Sequence, residues 1–246
     1  MHTKTAVLIL EAPWDIYEGD INRSSVEPFF QGLAKQTNDV DILHSRFYDA
    51  SSFRSAFKVL SSCRYKNAIV YVAGHGDGQR VSGAKIVDIM AECNLSSVAA
   101  NITGVVLGSC FSAGTVKRPQ AGIIDNLVQA SNIAWVAAYN CAAFWHESTI
   151  VDLSIIRHML GADEDDFSTR EGISELLARG IECFSPHFAL GDDGKGDDQS
   201  QRVSLRDGIT FFSQPRGQGN RSRSVTAEVW AEWQTLQLAE DVNERE

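Results

Sequence analysis

The chain has 246 residues, 43% of them hydrophobic and 22% charged, and a formal net charge of −10. That length suits one sizeable core rather than two, and the composition is that of an ordinary soluble globular protein. The acidic balance argues against a nucleic-acid partner, which needs clustered Lys and Arg. No apolar run approaches the roughly 20 residues of a membrane span.

In chain order, Ala6-Val7-Leu8-Ile9-Leu10 predicts a first strand, closed by Glu11-Ala12-Pro13. Residues 14–23 are polar and predict a loop over the sheet edge. Ser24 to Glu27 matches a capping box, and Val26, Phe29, Phe30 and Leu33 then recur at helix spacing. Residues 39–47 predict a second strand, less apolar and therefore nearer an edge. Phe53, Phe57 and Leu60 mark a second helix. A third strand over 68–73 is followed by a helix carrying Ile86, Ile89, Met90 and Cys93. A fourth strand reaches Leu107, and Ile124, Leu127 and Val128 mark the next helix. Residues 133–139 predict a fifth strand, and 147–160 a helix. Ser168 and Glu171 match another capping box, ahead of an amphipathic stripe of Ile173, Leu176, Leu177 and Ile181. Five strand-then-helix units in a row predict a three-layer α/β sandwich with a mostly parallel sheet.

The character changes after about residue 185. The run from Gly191 to Asp198 is rich in glycine and aspartate and predicts a flexible acidic linker. Asp207-Gly208 between two apolar stretches predicts a β-hairpin. Residues 215–223 are polar and glycine-rich, and Val229, Trp230, Trp233 and Leu236 mark a last helix. Residues 1–185 are therefore expected to form the α/β domain and 186–246 an appendage on it, too poor in apolar residues for a second core.

The chemistry concentrates at two strand ends. Ala68-Ile69-Val70-Tyr71-Val72-Ala73 runs into Gly74-His75-Gly76-Asp77-Gly78, and Val105-Val106-Leu107 into Gly108-Ser109-Cys110-Phe111-Ser112-Ala113-Gly114. If the two strands lie parallel and adjacent, an imidazole and a thiol meet at the carboxyl edge, where open α/β sheets process ligands. A histidine capping a strand end and a cysteine serving as a small core hydrophobe are each ordinary. Both are here flanked by glycines, which let another chain approach the backbone closely. An activated thiol needs a nearby base, so the coincidence favours a catalytic pair. Asp77 is equally well read as a turn residue before Gly78.

The five cysteines, at 63, 93, 110, 141 and 183, are odd in number and lack CxxC or zinc-knuckle spacing. They suit a reducing compartment, and the first apolar run is too short for a signal-peptide core. A cytoplasmic protein is expected. Cys141 is taken as structural. His44 and His146 have no partner at metal-ligand spacing, and the 192–198 aspartates lack the EF-hand pattern. Gly74-x-Gly76-x-Gly78 is too short for a dinucleotide fingerprint. Neither metal nor cofactor is expected.

The pattern of apolar strand and His-Gly, then apolar strand and small-Cys, resembles the caspase-like cysteine peptidases, which include caspases, metacaspases and the bacterial CHAT proteases. The Ser109-Cys110-Phe111-Ser112 form is similar to the metacaspase and CHAT types, and Glu11-Ala12-Pro13-Trp14 with Asn22 to Pro28 resembles the start of small stand-alone bacterial members. By strand order the likeness covers roughly residues 5–160. It implies a caspase-like sheet, Cys110 as nucleophile, His75 as acid/base partner, and the Gly76 and Cys110 amides as the oxyanion hole. It implies a protein or peptide substrate and a defence or stress effector switched on by a protein partner. Arg23 stands near the place of a caspase arginine that binds an acidic P1 side chain, and Gly108 stands where metacaspases carry an acid. An acidic or uncharged P1 is therefore expected over a basic one. Two other readings stay open: a catalytically silent interaction module, and a thiol hydrolase with a non-peptide substrate.

Overall fold

A computed structural model of the protein describes residues 4–14, 24–37, 39–115, 118–119, 121–129, 131–196, 199–217 and 220–243. Its centre is a seven-stranded sheet: β1 (Thr5–Glu11), β2 (Val40–Arg46), β3 (Ala68–Ala73), β4 (Ile102–Gly108), β5 (Trp135–Tyr139), β6 (Ile209–Ser213) and β7 (Arg223–Ser224). The spatial order is β7-β6-β5-β4-β3-β1-β2. The first five strands are parallel, and β6 and β7 run antiparallel to their neighbours. Every residue of β1, β3 and β4 is buried, which is why these strands read as unbroken apolar runs.

Helices cover both faces. Val7, Ile9, Ile69 and Tyr71 face a layer built by α1 (Glu27–Gln36), α5 (Trp145–Leu160), α6 (Arg170–Ile181) and α7 (Thr226–Asn243). Ala6, Leu8, Leu10, Val70 and Val72 face α2 (Ala50–Leu60), α3 (Ile86–Ala100) and α4 (Ala121–Val128). The three-layer α/β sandwich is thus the observed architecture. The chain steps from β1 to β2 in one direction and then builds β3, β4 and β5 in the other. This places a topological switch point between β1 and β3, where open sheets form a crevice at the carboxyl ends of their strands.

Four local expectations need correction. No capping box forms at Ser24: Val26 is the N-cap of α1 without a side-chain cap, and the Glu11 carboxylate accepts the Val26 N–H from outside the helix. At α6 the cap is Thr169, whose hydroxyl accepts from the Gly172 N–H, one residue later than the Ser168 pattern suggested. Gly191 and Asp192 end a strand, Ala189–Asp192, which pairs with Ala142–Ala143 on one side and Arg202–Ser204 on the other. Finally, Asp207-Gly208 does not turn a hairpin. Ser204 caps a single helical turn, Leu205–Gly208, and the flanking strands go to different sheets.

That last diversion makes the C-terminal quarter part of the main core. Ile209, Phe211 and Phe212 are buried in the sheet, and Val229 and Trp230 of α7 pack on α6 and its layer. Among the described residues no helix is long and apolar enough to cross a membrane.

Candidate active site

The strand register puts Ala73 of β3 opposite Gly108 of β4. His75 and Cys110 therefore occupy matching positions, two residues beyond the ends of adjacent parallel strands. Gly76 is the point of contact. A Cβ there would lie 2.9 Å from the Cys110 amide nitrogen and closer still to its carbonyl oxygen. Only glycine lets the two loops close this far. The structure thus brings the His75–Gly76 loop against the backbone of Cys110.

The Cys110 turn is fixed by a dense set of bonds. Phe111, the next residue, has φ +55°, in the left-handed region that a bulky side chain rarely adopts. Its N–H donates to the Cys141 carbonyl at 2.9 Å, and the Ala113 N–H donates to the Tyr139 carbonyl at 2.9 Å. Buried Ser112 latches the turn to both strands: its hydroxyl donates to the Leu107 carbonyl (2.7 Å) and accepts from the Tyr139 N–H (2.9 Å). Such over-determination is what holds a strained conformer in place. It presents Cys110 half-buried at the rim, its thiol 3.7 Å from the Ala143 carbonyl.

His75 is exposed and held from the β1 side of the switch point. Its Nε2 lies 2.6 Å from the Trp14 carbonyl, and its ring meets the indole edge-on at 5.3 Å. A carbonyl only accepts, so Nε2 carries the proton in this bond and a neutral ring keeps its lone pair on Nδ1. Among the described residues, no hydrogen bond joins Asp77 to the ring. Its carboxylate accepts from the Gln79 and Arg80 N–H groups at 2.8 Å each, the turn role that its position before Gly78 suggested.

Burial pushes the Cys110 thiol above its usual range. Backbone hydrogen bonds at Ala143, Gly76 and Cys110 itself oppose that rise, and the Asp192 charge adds to it. The net direction is upward, so the resting group is a thiol. The Gly76 and Cys110 amides, which both favour charge on the sulfur, donate to no backbone acceptor among the described residues. Cys141 is fully buried and is pushed up to about 12, chiefly by burial. It is a packing residue, as its sequence context suggested. Cys183 is exposed. Arg23 lies outside the described residues. Among the described residues no three His, Cys, Asp or Glu side chains are grouped to hold a metal ion.

Trp14 and the buried latch Ser112 are the parts that pattern reading does not reach. A hint of the first was available: Glu11 puts an acidic residue at the end of an otherwise apolar strand. Neither a protein-family model nor a curated protein matches this sequence.

Proposed function

We propose that the protein is a cysteine peptidase in which Cys110 is the nucleophile and His75 its acid/base partner, as the likeness to caspase-like enzymes implies. The observation that carries this reading is the packing of Gly76 onto Cys110, with His75 held by a carbonyl through Nε2 so that the lone pair of a neutral ring lies on Nδ1. The Cys110 group rests as a thiol, so attack requires a base. His75 takes the sulfur proton as the sulfur–carbon bond forms and the carbonyl electrons move onto oxygen. The Gly76 and Cys110 amides, which border the sulfur and donate to no backbone acceptor among the described residues, are suited to receive that oxyanion. Collapse breaks the carbon–nitrogen bond, the leaving amine takes the proton from His75, and water then hydrolyses the thioester.

An extended peptide fits the site best. Ala142–Ala143 is the outer strand of its small antiparallel ribbon, and the Ala143 carbonyl borders the sulfur. Main-chain pairing along such an edge would lay a scissile bond near Cys110. The Asp192 charge acts on the same thiol; it opposes an acidic P1 side chain, and an uncharged P1 is the choice compatible with both Asp192 and Gly108. Within this reading the chain is an effector that a protein partner switches on.

The test is covalent labelling by a peptide carrying a thiol-reactive electrophile, with the modified residue located by mass spectrometry. Modification is expected at Cys110, absent in Cys110→Ala, and slowed roughly 10²-fold in His75→Ala, the usual scale for acid–base work. Labelling by small electrophiles alone, with no peptide cleaved, would favour the non-peptide hydrolase. No labelling at Cys110 by any electrophile would favour the silent interaction module.

A further inference from the structure

We propose that Glu11 is a positioning residue for His75, acting through Trp14. The inference rests on the Cys110–His75 reading and adds a group that touches neither the substrate nor the thiol.

Glu11 ends β1 and is 1% exposed. A carboxylate so deep in a fold is costly unless its lone pairs are used. Among the described residues its partners come from elements around the switch point. Oε1 accepts from the Val26 N–H at 2.8 Å and from the Trp14 indole N–H at 3.2 Å. Oε2 accepts from the Ser25 hydroxyl at 2.7 Å and lies 2.9 Å from His44 Nε2. The other nitrogen of His44 lies 3.1 Å from the Glu27 carboxylate. Burial alone would push the Glu11 carboxyl up; the bonds from His44, Ser25 and Val26 outweigh it and hold the group below its usual range.

Three of these four bonds have local structural uses: they tie β2 to β1 and seat the start of α1. The fourth does not. The Trp14 indole is gripped by Glu11, and the same residue's carbonyl and ring are the contacts that hold His75. The segment between them has little freedom, because the Ala12 N–H donates to the Ala73 carbonyl at 2.8 Å and a Cβ on Gly74 would lie 2.9 Å from the Ala12 side chain. Glu11 thus clamps Trp14 from one side while His75 leans on it from the other. Releasing the indole frees the carbonyl to move, and with it the nitrogen that must face the thiol.

The experiment measures the alkylation rate of Cys110 by iodoacetamide across pH in the full chain, read by peptide mapping so that Cys63 and Cys183 do not contribute. It compares the wild type with Glu11→Gln, Trp14→Phe, the double variant and His75→Ala. Trp14→Phe keeps an aromatic ring beside His75 and removes the indole N–H together with the smaller ring that carries it, leaving the Glu11 carboxylate in place, so it serves if Glu11→Gln fails to fold. Both single variants are expected to shift the pH profile in the same direction as His75→Ala, and peptide turnover to fall about 10-fold at unchanged KM, since small misplacements of a catalytic group cost this much or more. The double variant is expected to match Glu11→Gln alone. If the His75→Ala profile is shifted while Glu11→Gln and Trp14→Phe overlay the wild type, the positioning role is wrong and the dyad stands. If His75→Ala itself overlays the wild type, the dyad reading fails, and this inference with it.

Discussion

Asp152 on α5 offers the sharpest physical test of the core beneath the site. Its side chain is wholly buried, and Tyr139 donates its hydroxyl to Oδ1 at 2.5 Å. The Tyr71 hydroxyl lies close enough to act on the same carboxyl, although Oδ2 has no partner of good hydrogen-bond geometry among the described residues. Burial pushes this carboxyl up to about 7, against the lowering effect of the two tyrosines, from an ordinary 3.8. Between pH 4 and 7 the folded protein therefore keeps a proton that the unfolded chain has released. Stability from this group is full below pH 4, falls as pH rises through that window and levels off above it. At ~1.4 kcal/mol per pH unit the whole fall is about 4 kcal/mol. Asp152→Asn keeps the acceptor for Tyr139 and has no proton to lose. Urea unfolding of both proteins at pH 4.5, 6 and 8 isolates the effect, because other groups cancel in the difference. The variant is expected to gain on the wild type by several kcal/mol between pH 4.5 and 8. A difference that stays flat with pH would refute the reasoning.

Two further outcomes follow from the geometry at the rim. Gly76→Ala puts a methyl group into the Cys110 backbone; it is expected to cost about 1–3 kcal/mol in overpacking and to cut turnover roughly 10²-fold by moving an oxyanion donor, checked by melting and peptide cleavage in parallel. Asp192→Asn removes a charge that raises the Cys110 thiol, so alkylation of Cys110 at pH 7 is expected to speed up; a slower reaction would show that Asp192 does not act on the sulfur.

The central sheet was legible because β1, β3 and β4 are buried on both faces and so appear as apolar runs, those of β3 and β4 ending in glycine. The matching ends of β3 and β4 follow from their being successive strands of a parallel sheet. What escaped pattern reading depends on contacts distant in sequence. The Asp207-Gly208 signal was overridden by Ser204, which caps a helical turn, and by buried Leu205, which turns the chain toward β5. Ser168 lost to Thr169 because caps depend on one backbone angle more than on a spacing. Glu11 and His44 meet across adjacent strands although they stand 33 residues apart, and the carbonyl that holds His75 belongs to Trp14, 61 residues away. No local period marks such a partner, and a backbone carbonyl carries no sequence signature at all.

The most direct measurement is cleavage of an unbiased peptide library by the purified wild type, Cys110→Ala and His75→Ala. Cleavage by the wild type, none by Cys110→Ala and a roughly 10²-fold loss in His75→Ala, with uncharged P1 residues dominating the profile, is the expected result. Undiminished cleavage by Cys110→Ala would contradict the assignment of the nucleophile and the peptidase mechanism built on it.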